Sequence, residues 1–193
     1  MEATNHESMY MNGLGPTMAL VLVAANPAAI ALSLTWRPSN WDHWRPRVVL
    51  ATTIGVAMLW LIAALADPIL EGLSVTTGTW RLATALPVAV AGLRWMLWPA
   101  KAVTDEPRAG IQVALIALTG LLAPQLVATV LATAAHDGVW RTLAGVALAA
   151  GATATLLWLR SVPTPLLAVL ARLLGGAAVV LAIALGVDGT KTI

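Results

Sequence analysis

From Pro165 to Val187 the chain runs for 23 residues with a single charge, Arg172. A helix needs about 20 mostly apolar residues to cross a bilayer. Within hydrocarbon, a chain satisfies its backbone groups only as a helix or a closed barrel. The same kind of run recurs at Gly15–Thr35, Val48–Ala66, Trp80–Trp98, Ile111–Ala135 and Val139–Leu159. The expectation is an all-α integral membrane protein with six transmembrane helices. Composition agrees: 59% of the 193 residues are hydrophobic and 10% are charged, against roughly 25% charged in a soluble domain. The implied layout is a polar tail over 1–14 and one transmembrane domain over 15–193. A loop at 99–110 divides its first part, 15–98, from its second, 111–193.

The opening "MEATNHESMYMN" is polar and net acidic. It lacks the basic start of a secretory signal, so the first apolar run is expected to be a retained span. Tryptophan favours the headgroup layer. Trp36, Trp41 and Trp44 follow the first run, Trp80 opens the third, Trp95 and Trp98 close it, and Trp140 and Trp158 bracket the fifth. Only Trp60 falls inside a span. Basic residues supply the orientation. Arg37, Arg45 and Arg47 lie in the first connection, Arg94, Lys101 and Arg108 in the third, and Arg160 in the fifth. Arg141 and Lys191 lie on the other side. This excess places the odd connections in the cytoplasm and both termini outside, in a multi-pass protein of the inner or plasma membrane.

The first run is interrupted by Asn26-Pro27, in "ANPAAIAL" (Ala25–Leu32), and the fourth by Pro124-Gln125, in "APQLVATV" (Ala123–Val130). A proline inside a helix removes a hydrogen bond and clashes with the preceding turn. The third run, "WRLATALPVAVAGL" (Trp80–Leu93), pairs in the same way with "ARLLGGAAVVLAIAL" (Ala171–Leu185), aligning Arg81 with Arg172. Each half then reads as broken helix, plain helix, Arg-led helix. Three spans per half insert the second half with opposite orientation, so the expected architecture is two inverted three-helix repeats with helices one and four broken. Such repeats recur in secondary transporters, where the site lies between broken helices at the midplane.

At a break, the N-terminal end of a half-helix carries about half a positive charge and accepts a carboxylate without a full cation. Asn26 and Gln125 would add amide groups, and Thr129 and Thr133 lie one and two turns beyond Gln125. The candidate substrate site is therefore Asn26, Pro27, Pro124, Gln125 and Thr129, suited to a small zwitterion. The competing reading of both prolines is a kink satisfied by neighbouring helices. Arg81 and Arg172, near span starts, either snorkel to headgroups or act in gating or ion pairs, Arg81 with Asp67 or Glu71. Asp67 and Asp188 end spans two and six and read as interfacial caps or partners of nearby bases. His136, in the "HDG" connection, reads as an interfacial loop residue. The small residues Gly175 to Ala178 read as packing positions.

Along the whole chain after about Gly13, these residues resemble the MarC family of six-span inner-membrane proteins, within the LysE-type exporter superfamily. The resemblance rests on "NPAAIALSLT" (Asn26–Thr35), "ADPILEGLSVTTGTWRLA" (Ala66–Ala83), "GLRWML" (Gly92–Leu97), "LLAPQLVATVLATAAHDG" (Leu121–Gly138) and "LARLLGGAAVVLAIALGVDG" (Leu170–Gly189). It implies a transporter of small solutes, neutral amino acids being suggested for some relatives, with export the direction by analogy. The family typically has Asp before the first proline, where this chain has Asn26, and a glycine-rich second break, where this chain has Ala123-Pro124-Gln125. The first difference removes an obvious proton or cation partner.

Other classes find little support in the sequence. Cysteine is absent, and His6, His43 and His136 are scattered, so no metal site is visible. No Gly-rich phosphate loop with its lysine occurs. No enzyme, cofactor or nucleic-acid partner is expected; the partners are a small-molecule substrate and the lipid bilayer, with a homo-oligomer left open. The alternatives to transport are a membrane structural or regulatory subunit and a divalent-cation exporter of the same superfamily. The latter would need several oxygen ligands near the midplane.

Overall fold

The computed structural model describes residues 13–33, 41–98, 120–159 and 162–191, with side chains from residue 45 onward in the second stretch. The tail over 1–12, much of the first and third connections, the first part of the fourth run and Arg160 lie outside the described residues. All regular structure among the described residues is helical: α1 (Leu14–Ala25), α2 (Pro27–Ser33), α3 (Trp41–Ala64), α4 (Ala66–Gly72), α5 (Thr77–Leu97), α6 (Pro124–Asp137), α7 (Val139–Trp158) and α8 (Thr164–Lys191). Four segments are long and apolar enough to cross a membrane: Leu14–Ser33, Arg45–Ala64, Val139–Trp158 and Thr164–Lys191. α5 is 21 residues long but less apolar. α6 covers 14 described residues of the fourth run.

The outward-facing side chains suit lipid. α8 exposes Leu166, Val169, Leu173, Val180, Ile183 and Val187, and α5 exposes Leu82, Leu86, Val90 and Leu93. Continuous apolar faces of this kind are rare on monomers surrounded by water. The structure is thus compatible with a multi-pass membrane protein.

The first run breaks at one residue. Asn26 adopts a left-handed conformation (φ 42°, ψ 71°) and its N–H donates to Leu22 C=O at 3.1 Å, closing α1. Asparagine is among the few residues that tolerate this region. Its C=O then accepts from Ala29 N–H (3.0 Å) and Ile30 N–H (3.2 Å), and its Oδ1 accepts from Ala29 N–H at 3.0 Å. Pro27 occupies the first helical position of α2, where a missing N–H costs nothing. One Asn-Pro pair therefore ends one helix and caps the next.

The second break repeats the carbonyl bonds and the proline position, but not the left-handed residue. Ala123 is extended, its C=O accepts from Leu126 N–H (2.9 Å) and Val127 N–H (3.0 Å), and Pro124 takes the first helical position of α6. Each element of the pattern lies 97 positions beyond its counterpart in the first break. The turn just before it, at Gly120, stands against the Ile30 side chain, with only 3.1 Å to a β-carbon placed on Gly120. The two breaks are neighbours.

α5 and α8 run antiparallel in close contact. A β-carbon on Gly92 would lie 2.6 Å from Gly175 C=O, and one on Gly189 would lie 2.9 Å from Gly78 C=O. Gly78 and Gly175 are again 97 positions apart, as are Gly92 and Gly189. The same offset that superposes the breaks therefore exchanges these two glycine contacts. Aligning Arg81 with Arg172 requires an offset of 91, which these contacts do not share.

α1, α5 and α7 run opposite to α6 and α8, so the bundle has two distinct ends. The starts of α1, α5 and α7 meet the ends of α6 and α8 at one. At the other, Arg45 on α3 stacks over the Trp158 ring on α7, 4.8 Å from its centroid. Nearby, Leu32, Val48, Leu157 and Leu167 form an apolar cluster. Gly138 alone joins α6 to α7, at φ 95° and ψ 150°, a conformation open essentially only to glycine.

Candidate functional site

At the breaks, the Asn26 amide and the Thr129 and Thr133 hydroxyls are occupied by the protein. Asn26 is fully buried, and its Nδ2 donates to Ala171 C=O on α8 at 3.0 Å while Oδ1 caps α2. Pro27 is buried beside it. Pro124 is exposed and Gln125 half-buried. Thr129 is buried and donates to Gln125 C=O at 2.7 Å; Thr133 donates to Thr129 C=O at 2.9 Å. Such bonds within a helix satisfy buried hydroxyls locally. The Asn26 amide holds three helices, α1, α2 and α8, at one point.

A second polar group gathers at the bundle end where α1 and α5 begin. Arg81, in the first turns of α5, is 4% exposed and pairs through Nη2 with Asp188 near the end of α8. Its Nη1 is buried without a hydrogen-bond partner. The ion pair expected for Arg81 is present, while its placement and its partner differ from expectation. The side chain points into the bundle rather than to the headgroup layer, and its partner is Asp188 rather than Asp67 or Glu71. Asp67 and Arg172 are exposed, and Arg172 takes no part in this group.

Local structure explains how Arg81 is held. Thr76 Oγ1 accepts from Thr79 N–H at 3.2 Å and caps α5. Trp80 Nε1 and the Thr84 hydroxyl both donate to Ala128 C=O on α6, at 3.3 and 3.4 Å. The Gly78–Gly189 contact then sets Arg81 opposite Asp188. From α1, the Thr17 hydroxyl donates to Asp137 Oδ2 at 2.7 Å, and His136 Nδ1 donates to Asp137 Oδ1 at 2.6 Å. A largely enclosed cavity of about 20 Å³ lies between these helices, lined by Thr17, Leu20, Arg81, Thr133, Asp137 and Leu185 among others. Among the described residues, no three His, Cys, Asp or Glu side chains come together as a metal site would require.

Thr17, His136 and Asp137 were not candidates from sequence. Thr17 and Asp137 are 120 residues apart, and no local spacing encodes their contact. Asp137 lies past the fourth apolar run, in the short connection. Burial alone would push its carboxyl up. Hydrogen bonds from His136 and Thr17, with the charges of His136 and Arg81, outweigh that and hold it below its usual value. A depressed carboxyl contributes stability above its unfolded pKa, and that contribution is lost as pH falls through the lowered value. The thermal midpoint of the wild type is therefore expected to drop on acidification below about pH 4. Asp137→Asn should melt lower at neutral pH and lose less in acid. Parallel pH profiles for the two proteins would contradict this assignment.

No family model, curated protein or solved structure matches this chain.

Proposed function

We propose that the chain is a six-span secondary transporter of the MarC type, built from two inverted three-helix halves. It carries small neutral amino acids or similar small solutes across the inner or plasma membrane, with both termini on the outer side. The observation that supports this reading is the 97-residue equivalence. It relates the hydrogen bonds at both helix breaks and exchanges the Gly78–Gly189 contact with Gly92–Gly175. A pseudo-twofold relation between halves allows the same sequence to pack in two alternative ways, and transporters with inverted repeats use this to expose one site to each side in turn. The neighbouring breaks are the pivot of that motion, and the half-helices they release are the moving parts. Asn26, Pro27, Pro124, Gln125 and Thr129 border the pivot; Arg81 belongs to the outer gate.

A second reading, a structural or regulatory subunit without transport, draws on Asn26, whose amide is committed at both ends to the protein. Counterflow in proteoliposomes with labelled glycine, alanine, serine and threonine separates the two. Transport predicts accumulation of at least one of these, abolished by detergent permeabilisation. No accumulation of any would favour the subunit.

A further inference from the structure

We propose that the cavity between α1, α5, α6 and α8 is the closed form of a recognition site for a small zwitterion, a neutral α-amino acid. In this site the Arg81 Nη1 takes the carboxylate and Asp137 takes the ammonium. The site lies nine residues before Asn26, about 13 Å along α1, and is separate from the helix breaks. It goes beyond the transport reading and stands or falls independently of it.

The starting observation is the Arg81 guanidinium, with one nitrogen on Asp188 and the other buried without an acceptor. An orphaned, charged donor in a buried position is costly, and native structures rarely keep one without a use. It needs an acceptor, and charge restricts which acceptor. Arg81 is already flanked by two carboxylates, Asp188 in direct contact and Asp137 across the cavity. A simple anion would add a third negative charge beside one guanidinium, the His136 ring being already engaged by Asp137. A simple cation would meet the guanidinium. A zwitterion adds no net charge and offers each end to its complement. The remaining lining fits a small aliphatic substituent: Leu20, Leu181, Leu185 and Ala132 are apolar.

Size decides the state of the site. A water needs about 10–15 Å³ of cavity, so the present 20 Å³ has room for one water, which a ligand carboxylate would displace from Nη1, and no room for an amino acid. One wall, however, is α1, a 12-residue half-helix ending at the Asn26 break. Thr17 on this wall is tied to Asp137 on the opposite one. Movement of α1 about Asn26 breaks that bond, frees the Asp137 oxygen and widens the cavity beside Arg81. The ligand thus replaces Thr17 on Asp137 and supplies the acceptor that Nη1 lacks.

The test is binding to the purified full-length protein in nanodiscs, read by calorimetry, with L-alanine, propionate and ethylamine as probes. Alanine should bind at least about tenfold more tightly than either single-charge analogue, as expected when one charged hydrogen bond is withdrawn. Asp137→Asn should bring alanine and propionate to similar affinities, a change in selectivity that a merely structural role would not produce. Arg81→Gln should abolish binding of alanine. Because that variant also strands Asp188, Ala132→Val is the companion: it fills the cavity without altering charge and should abolish binding in a protein that still melts cooperatively. Equal binding of alanine and propionate to the wild type, no binding of any probe, or alanine binding unaffected by Ala132→Val would each overturn the proposal. Alanine binding without counterflow would end the transport reading and leave the site. Counterflow in a protein that shows no alanine binding sensitive to Ala132→Val would end the site and leave transport.

Discussion

Gly92→Leu is expected to lower stability by at least about 3 kcal/mol, the upper end of ordinary overpacking, and to cut the thermal midpoint by about 6–12 °C. The added β-carbon would lie 2.6 Å from Gly175 C=O and 2.9 Å from the Ala178 β-carbon. The first of these is backbone, which cannot turn aside as a side chain does. α5 and α8 must separate, and in lipid no hydrophobic gain compensates, because close packing is itself the source of helix association. Separation also strains the Arg81–Asp188 pair, which depends on the same register. Gly189→Leu should cost a similar amount, since its β-carbon meets Gly78 C=O at 2.9 Å and Leu82 N at 2.8 Å. Gly151→Leu is the control, as a β-carbon there meets nothing within 4 Å. Thermal melts that place Gly92→Leu beside Gly151→Leu would contradict the close antiparallel packing of α5 on α8.

The positions legible in the sequence are those where a residue's own chemistry dictates backbone geometry. Asn26-Pro27 could be read as a break because asparagine tolerates the left-handed region and proline fits a first helical turn. The short connection at Gly138 was legible for a similar reason. The Arg81 partner was not. Asp67 and Glu71 are close to Arg81 in sequence, whereas Asp188 reaches it only through the register that Gly78 and Gly189 set between α5 and α8. The alignment of Arg81 with Arg172 uses an offset of 91, which the glycine contacts do not share. Basic residues gather near span ends in any membrane helix, so their match carries little information about register. The usable signal was the proline offset carried down the chain. It pairs Gly78 with Gly175 and Gly92 with Gly189, four glycines that look like routine small residues until their backbones are seen in contact. Asp137 was obscured by its setting in a three-residue connection, where its contact with Thr17 depends wholly on tertiary structure.

The second large effect is expected at Asn26, where three substitutions separate a capping role from a ligand role. Asn26→Leu loses three things at once. A branched side chain in the left-handed region costs about 1–2 kcal/mol, and loss of the cap on α2 costs about 0.5–2 kcal/mol. The bond to Ala171 C=O is worth a further 0.5–1.5 kcal/mol or so. The total, about 2–5.5 kcal/mol, is a large part of the 5–15 kcal/mol that holds a typical domain folded. Asn26→Gly keeps the conformation and loses only the side-chain bonds, so about 1–2 kcal/mol is expected. Asn26→Asp keeps the conformation and the cap. It has no N–H for Ala171, though, and sets a buried carboxylate against a carbonyl oxygen, so it should fall below Asn26→Gly. Asparagine at this position follows from what lies opposite it: a carbonyl that needs a donor. If Asn26 is a cap, flux in counterflow should follow stability, with Asn26→Gly retaining most of it. Loss of flux in Asn26→Gly with an unchanged melt would assign the amide to the substrate instead. An Asn26→Leu protein that melts within a degree of the wild type would remove the capping role altogether.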